Sequence, residues 1–158
     1  MKALTFKLVS EPPERLDLSP LTPERLAGKA RGDMEKIPVG MSRRGSLVGD
    51  LFRVTGSDPS NIVFEGGSGR FDRIAEGMQD GSIRVLGSGG AQAGRAMRGG
   101  ALKIEGDAGP HAASCMRGGR IEINGNVGDR LGAPLAGELA GMNGGIVIVR
   151  GRAGAFAA

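Results

Sequence analysis

The 158-residue chain contains no tryptophan, no tyrosine and only one cysteine, Cys115. A single cysteine excludes an internal disulfide and is typical of proteins from a reducing compartment, so we expect a cytoplasmic location. Aromatic side chains are the platforms on which the bases of single-stranded nucleic acids stack, and only five phenylalanines are present. This scarcity argues against such a binder.

Long apolar runs and long charged runs are also absent. No stretch approaches the roughly 20 apolar residues that cross a bilayer, so no membrane association is expected. The net charge is +4, but the longest basic run is only Arg43-Arg44. Because the basic residues are dispersed, we expect no nucleic-acid partner.

Glycine is abundant, with 30 residues in the chain, whereas an average protein contains roughly 7%. The glycines do not recur at every third position, which excludes a collagen helix. The excess therefore indicates a folded backbone that turns often.

A repeat accounts for many of these glycines. Met78, Met97 and Met116 stand 19 residues apart, and Met142 follows after a seven-residue insertion near Ala133–Leu139. Two units read "MRGGALKIEGDAGPHAASC" and "MRGGRIEINGNVGD". Each unit contains a short stretch with apolar residues at alternate positions, which predicts a β-strand. A fixed period of this kind predicts stacked units.

The repeat predicts an all-β fold, a right-handed parallel β-helix with 19-residue coils. Residues 1–56 are expected to form a small α+β N-terminal cap with a strand and short helices, one of them starting at Pro23 after Thr22. Residues 57–158 would form the coils, and the stack is expected to be incomplete at its C-terminal end. In this arrangement Ile104 and Ile123 are stacked neighbours.

Several residues are predicted to have structural roles in the repeat. Glycines recur at two places after each strand, where a positive φ or a close backbone approach would exclude a Cβ. The methionines that begin the units are predicted to form a buried ladder. The residues concerned are Gly87, Gly90, Gly106, Gly109, Gly125, Gly128, Met97 and Met116.

Two features predict contact with a partner. The last strand is the most apolar, and Ile148 occupies a position that is charged in the three preceding units. An apolar terminal strand with an open edge is a liability unless something covers it. The cluster Arg70, Asp72, Arg73 and Glu76 predicts a salt network, and its two arginines are candidates for a partner interface.

The candidates for chemistry are few. His111 is the only histidine and is aligned with Phe71, Gln92 and Arg130, which indicates a tolerant, outward position. Cys115 is interpreted as a small buried residue rather than a nucleophile. One histidine and one cysteine do not make a zinc or iron–sulfur site, so neither metal nor cofactor is expected in this chain. The chain itself is expected to be non-catalytic.

Four segments together resemble a known family: "PPERLDLSPLTPERLAG", "GDLFRVTG", "VFEGGSGRFDRIAEGM" and units of the form M-x-G-G-x-[ILV]-x-[ILV]-x-G-x-x-G. They are similar to the C-type subunit of formylmethanofuran dehydrogenase, and more closely to its counterpart in the bacterial formyltransferase/hydrolase complex. The resemblance covers essentially the whole chain. Family members continue for several further units beyond the length of this chain.

The resemblance implies a scaffold subunit of a hetero-oligomeric enzyme complex in one-carbon metabolism. Its partners would be hydrolase or dehydrogenase subunits and formyltransferase subunits. Those partners would carry the metal and a methanofuran-type carrier, in formaldehyde oxidation to formate. The alternative is a glycine-repeat domain of the glutamate synthase type, which spaces the domains of an amidotransferase.

Overall fold

The computed structural model of the chain describes residues 2–43, 45–135, 138 and 141–155. The elements of the N-terminal part are β1 (Ala3–Leu8), β2 (Leu16–Asp17), α1 (Pro23–Leu26), α2 (Arg31–Glu35), α3 (Val48–Leu51) and β3 (Phe52–Thr55). They are followed by β4 (Asp58–Glu65), β5 (Phe71–Asp72), β6 (Ser82–Leu86), β7 (Ala101–Ile104), β8 (Arg120–Ile123) and β9 (Ile146–Val149).

Within the described ranges, the main sheet has seven strands in the order β3-β1-β4-β6-β7-β8-β9. β1 pairs antiparallel with β3, and all the other neighbours in this sheet are parallel. β2 and β5 form a separate parallel pair. In β7 and β8, Ile104 pairs with Ile123. The predicted neighbourhood of these two residues is therefore confirmed.

The expected fold class, an all-β right-handed parallel β-helix, is wrong. The structure is an α/β arrangement, with a mixed seven-stranded sheet and short helices. Two features of the structure account for the difference from the expected fold. The N-terminal β1 enters the same sheet between β3 and β4 and makes it mixed. The glycine-rich half of each repeat unit forms turns and isolated bridges, such as Ala108 with Val127, instead of further long strands.

The core lies on one face of the main sheet and follows from the alternation of its strands. Ile83, Leu102 and Ile121 are at most 1% exposed, whereas Arg84 between two such positions is exposed. Four phenylalanines pack at the N-terminal end of the core: Phe6, Phe52, Phe64 and Phe71. The repeat units farther along the chain have aliphatic and methionine side chains in their place.

The three short helices all lie in the N-terminal part of the described chain. The predicted helix at Pro23 is present as α1, but the Thr22 side chain makes no capping hydrogen bond. Gly28 follows it with a φ of 78°, a left-handed conformation that favours glycine. None of the described helices combines the length and the apolar character that crossing a bilayer requires.

Candidate interaction surface

The glycines after each strand lie where the preceding unit approaches closely. A Cβ built on Gly109 would be 2.8 Å from the carbonyl carbon of Gly90, and one on Gly128 would be 2.7 Å from the nitrogen of Pro110. Similar approaches to backbone atoms, of 3.0 Å or less, occur at the other predicted glycines: Gly87, Gly90, Gly106 and Gly125. Close packing of neighbouring units therefore accounts for glycine at these positions.

Left-handed backbone recurs at residues that are not glycine, a feature that was not predicted from the sequence. Arg73, Gln92, His111 and Arg130 have φ values from 59° to 62°. They stand 19 residues apart, so the repeat period was the available signal. The amide of Gly90 donates to the carbonyl of Phe71. Phe71 is thus aligned with Gly90, and its predicted alignment with His111 is wrong because Arg73 occupies that position.

His111 is half-buried, not outward. Its Nδ1 is buried and has no hydrogen-bond partner among the described residues. One unit earlier, Oε1 of Gln92 is likewise buried and has no hydrogen-bond partner among the described residues. The two side chains therefore form a partly buried polar row along the turns of the repeat.

Arg70 and Arg73 contact the N-terminal part of the same chain. An Nη of Arg70 donates to the carbonyl of Pro12 at 2.8 Å, and Arg73 lies 3.4 Å from Asp17. Asp72, whose side chain is 9% exposed, receives two hydrogen bonds from Arg15 at 2.7 Å. The acidic and basic residues of this segment thus attach the N-terminal part to the first unit.

Glu76 belongs to a second network, around Arg95. The Arg95 guanidinium lies 3.2 Å from Glu76 and also donates to Glu138, which in turn accepts a hydrogen bond from Cys115. Glu138 comes from the predicted insertion, of which residues 136, 137 and 139 lie outside the described residues. The hydrogen bond to Glu138 and partial burial raise the pKa of the Cys115 thiol. A raised pKa keeps the thiol protonated, and a protonated thiol is a poor nucleophile.

Met97 and Met116 are fully buried.

Among the described residues, no group of three or more His, Cys, Asp and Glu side chains is arranged to hold a metal ion.

The outer face of the sheet carries paired charges. Glu105 lies 3.2 Å from Arg84 and 3.6 Å from Lys103. One unit later, Glu122 lies 2.6 Å from Arg150, and this contact lowers the pKa of Glu122. Neighbouring units therefore balance their charges across the strands.

Ile148 departs from this charged pattern and pairs with Glu122 across the strands. It belongs to β9, which has no strand on its outer side among the described residues. Ile146, at the start of β9, is 56% exposed. We call β9 and the residues that follow it up to Ala155 the terminal edge. This surface combines exposed apolar side chains with an open strand, which makes it the candidate interaction surface.

Comparison with known proteins gives two similar chains. The C-type subunit of the formyltransferase/hydrolase complex Fhc of Methylorubrum extorquens is 41% identical over 86 residues, which are 54% of this chain and 32% of that protein. A chain in the crystal structure of the formyltransferase/hydrolase complex FhcABCD from Methylorubrum extorquens, in complex with methylofuran, has a TM-score of 0.89 and 40% identity. No protein-family model matches the chain.

The structural match covers 94% of this chain and 56% of the chain in the complex. The chain thus spans about half the length of its structural relative. These two matches confirm the resemblance to the C-type subunit family that the sequence motifs predicted.

Proposed function

We propose, on the premise that this chain is a relative of the C-type subunit of the formyltransferase/hydrolase complex, that it is a non-catalytic scaffold. It would act inside a hetero-oligomeric complex that transfers a formyl group and releases formate. Hydrolase and formyltransferase partners would supply the metal and the methanofuran-type carrier. A cytoplasmic location stays part of the proposal, supported by the single cysteine.

The terminal edge is the observation that carries this proposal. Ile146 is 56% exposed and Ile148 is half-buried, on a strand whose outer side no described residue covers. Such a strand is stabilised when further protein covers it. The structural relative is a chain of a multi-subunit complex, and an edge of this kind is what a member of such a complex would present to a neighbour.

The environments of His111 and Cys115 support a non-catalytic role. Cys115 holds its proton because Glu138 accepts a hydrogen bond from it. His111 lies four residues earlier, in the left-handed conformation of the turn. Nucleophilic catalysis needs a thiol or hydroxyl that is activated by a neighbouring base, whereas the neighbour of Cys115 stabilises its neutral form.

Co-expression with the FhcA, FhcB and FhcD proteins of Methylorubrum extorquens tests the assembly. We expect the chain to co-elute with these proteins in size-exclusion chromatography, and mass spectrometry would identify each component. The substitution Ile146→Glu should weaken co-elution. The matched control is Met41→Glu, because Met41 is also exposed, at 48%, but lies far along the chain from the terminal edge.

Activity measurements test the non-catalytic part of the proposal. The purified chain alone should hydrolyse no formylated carrier, whereas the assembled complex should. Formyl hydrolysis by the chain alone would contradict the scaffold role. Failure of the wild-type chain to join the complex, while the C-type subunit of Fhc itself joins under the same conditions, would contradict its membership of such a complex.

A further inference from the structure

We infer that a groove beside α1 binds an arginine side chain of a partner protein. For its biological setting the inference rests on the proposed function. Two observations carry it. The groove has apolar walls around a volume of about 420 Å³, and it is also lined by two exposed carboxylates, Glu24 and Asp80.

The groove lies between α1, the start of β4 and the turn before β6. Its apolar walls are formed by Pro23, Ala27 and Pro59. Gly81 also lines it, and a Cβ built there would lie 2.9 Å from the Pro23 side chain and 2.7 Å from the carbonyl oxygen of Ser60. Glycine therefore allows α1 to pack directly against the turn before β6.

Every wall of the groove belongs to residues 23–82. β4 is paired with both β1 and β6, and β6 is paired with both β4 and β7. Two further strands, β7 and β8, lie between the groove and β9. The groove is thus formed inside the paired part of the sheet and is separate from the terminal edge.

Backbone amides hold the two carboxylates in place. The Glu24 carboxylate accepts the amide of Gln79 at 3.3 Å, and the Asp80 carboxylate accepts the amide of Gly81 at 2.8 Å. Each of these amides contacts one oxygen atom, and the second oxygen accepts no hydrogen bond from the described residues. Both carboxylates therefore keep an acceptor for a ligand.

The negative charge of the groove is not neutralised by the described part of the chain. Glu24 and Asp80 form no ion pair there, and no lysine or arginine of this part lines the groove. The neighbouring Arg25 donates to the carbonyl oxygens of Ser19 and Glu76 instead. The groove therefore favours a ligand that brings positive charge.

An arginine side chain matches both parts of the groove. Its methylene stem packs on apolar surface while its charged head stays in water. The guanidinium has five N–H donors and is less strongly hydrated than the ammonium of lysine, so it can donate to two carboxylates at a protein interface. A partner protein is a better occupant than a second copy, because two chains with a net charge of +4 repel each other.

Synthetic peptides test the inference without the rest of a complex. The probe is acetyl-Gly-Arg-Gly-amide. The comparison peptide has citrulline in place of the arginine, which keeps the shape of the side chain and removes its charge. Titration at low salt is followed by NMR, with the amide shifts of Gly81 and Ser82 as the readout, since both residues line the groove.

We expect the arginine peptide to bind about two- to ten-fold more tightly than the citrulline peptide, as for two exposed ion pairs. The double variant Glu24→Gln/Asp80→Asn should abolish this preference, and it keeps the oxygen atoms that accept the two amides. Asp33→Asn, at an exposed carboxylate of α2, should leave the preference unchanged. Ala27→Leu places a larger side chain at the groove and should weaken both peptides.

Four outcomes would overturn the inference: equal affinity of the two peptides, a preference that survives in the double variant, binding that Ala27→Leu leaves unchanged, or no binding of either peptide. Self-association that the double variant abolishes would assign the groove to a second copy instead. Because the peptides contain no part of a formyltransferase/hydrolase complex, their result is separate from the co-expression result. Failure of one proposal is thus distinguishable from failure of the other.

Discussion

Arg15 and Asp72 are separated by 57 residues in the chain, and their side chains form two hydrogen bonds of 2.7 Å. The Asp72 carboxylate also accepts the backbone N–H group of Ala91 at 2.8 Å. A single buried carboxylate thus joins the N-terminal part, the first repeat unit and the second. Its two oxygen atoms lie where three segments meet.

The first prediction concerns this pair. Arg15→Gln should lower the free energy of unfolding by about 1–3 kcal/mol, because it leaves the buried Asp72 carboxylate without its cationic partner. Chemical denaturation measures the change. Arg31→Gln, at an exposed arginine with no ion pair among the described residues, should change stability by less than about 0.5 kcal/mol. Equal effects of the two substitutions would contradict the structural role of Arg15.

The second prediction compares two glycines. Gly109→Ala should lower the free energy of unfolding by about 1–3 kcal/mol, because the new Cβ would lie 2.8 Å from the backbone of Gly90. Gly32 in α2 has no atom within 4 Å of a built Cβ. Gly32→Ala should therefore be neutral or stabilising, since alanine is the better helix former. Thermal unfolding measures the midpoint of both variants. An unchanged unfolding midpoint for Gly109→Ala would contradict the close approach of the two units.

The third prediction uses two methionines. Met97 is fully buried and Met41 is 48% exposed. Met97→Ala should cost about 2–5 kcal/mol because it leaves a cavity between units, whereas Met41→Ala should cost less than about 0.5 kcal/mol. Urea titration followed by circular dichroism measures both. A small effect at Met97 would show that the units collapse around the missing side chain.

The fourth prediction concerns two like charges in register. The amides of Arg98 and Arg117 donate to Met78 and Met97, so the two arginines occupy the same position in adjacent units. Both are exposed, and adjacent positions lie about 4.8 Å apart. Arg98→Glu should stabilise the protein by about 0.2–1 kcal/mol by replacing repulsion with attraction. Arg98→Gln should give a smaller gain, and 1 M salt should remove the difference between the two variants.

The fifth prediction is a pH dependence. The hydrogen bond from Arg150 holds the pKa of Glu122 below its usual value. Ionised Glu122 therefore stabilises the folded state at neutral pH, and this contribution is lost as the pH falls below 4.5 toward the folded-state pKa. The unfolding midpoint of the wild-type chain should fall more steeply with acid than that of Glu122→Gln. Glu65→Gln, at an exposed carboxylate of β4, should keep the wild-type slope.

The sequence contained enough information to predict which strands are neighbours in the repeat. The spacing of Met78, Met97 and Met116 placed Ile104 beside Ile123, because a period of 19 aligns equivalent residues. The period alone does not determine which secondary structure the glycine-rich half of each repeat unit adopts. It also contains no information about β1, whose paired residues in β3 and β4 lie 44 to 58 residues farther along the chain and outside the regular repeat.

The candidate surface was predicted in part. Ile148 stood out because its position is charged in other units, and the structure places it on the open strand β9. The contact between Arg15 and Asp72 was not predictable, since nothing in either local sequence specifies a distant partner. The left-handed arginine, glutamine and histidine positions were missed because such residues adopt that conformation only when their surroundings impose it.

The position of β1 has a consequence for the order in which the sheet opens. At one end of the main sheet the parallel register stops, because β3 runs antiparallel to β1 and packs against α2 and α3. β1 is therefore held by a strand on each side, whereas β9 has one neighbour among the described strands. Fraying of the sheet should affect β9 before β1, because β9 loses one ladder of hydrogen bonds where β1 must lose two.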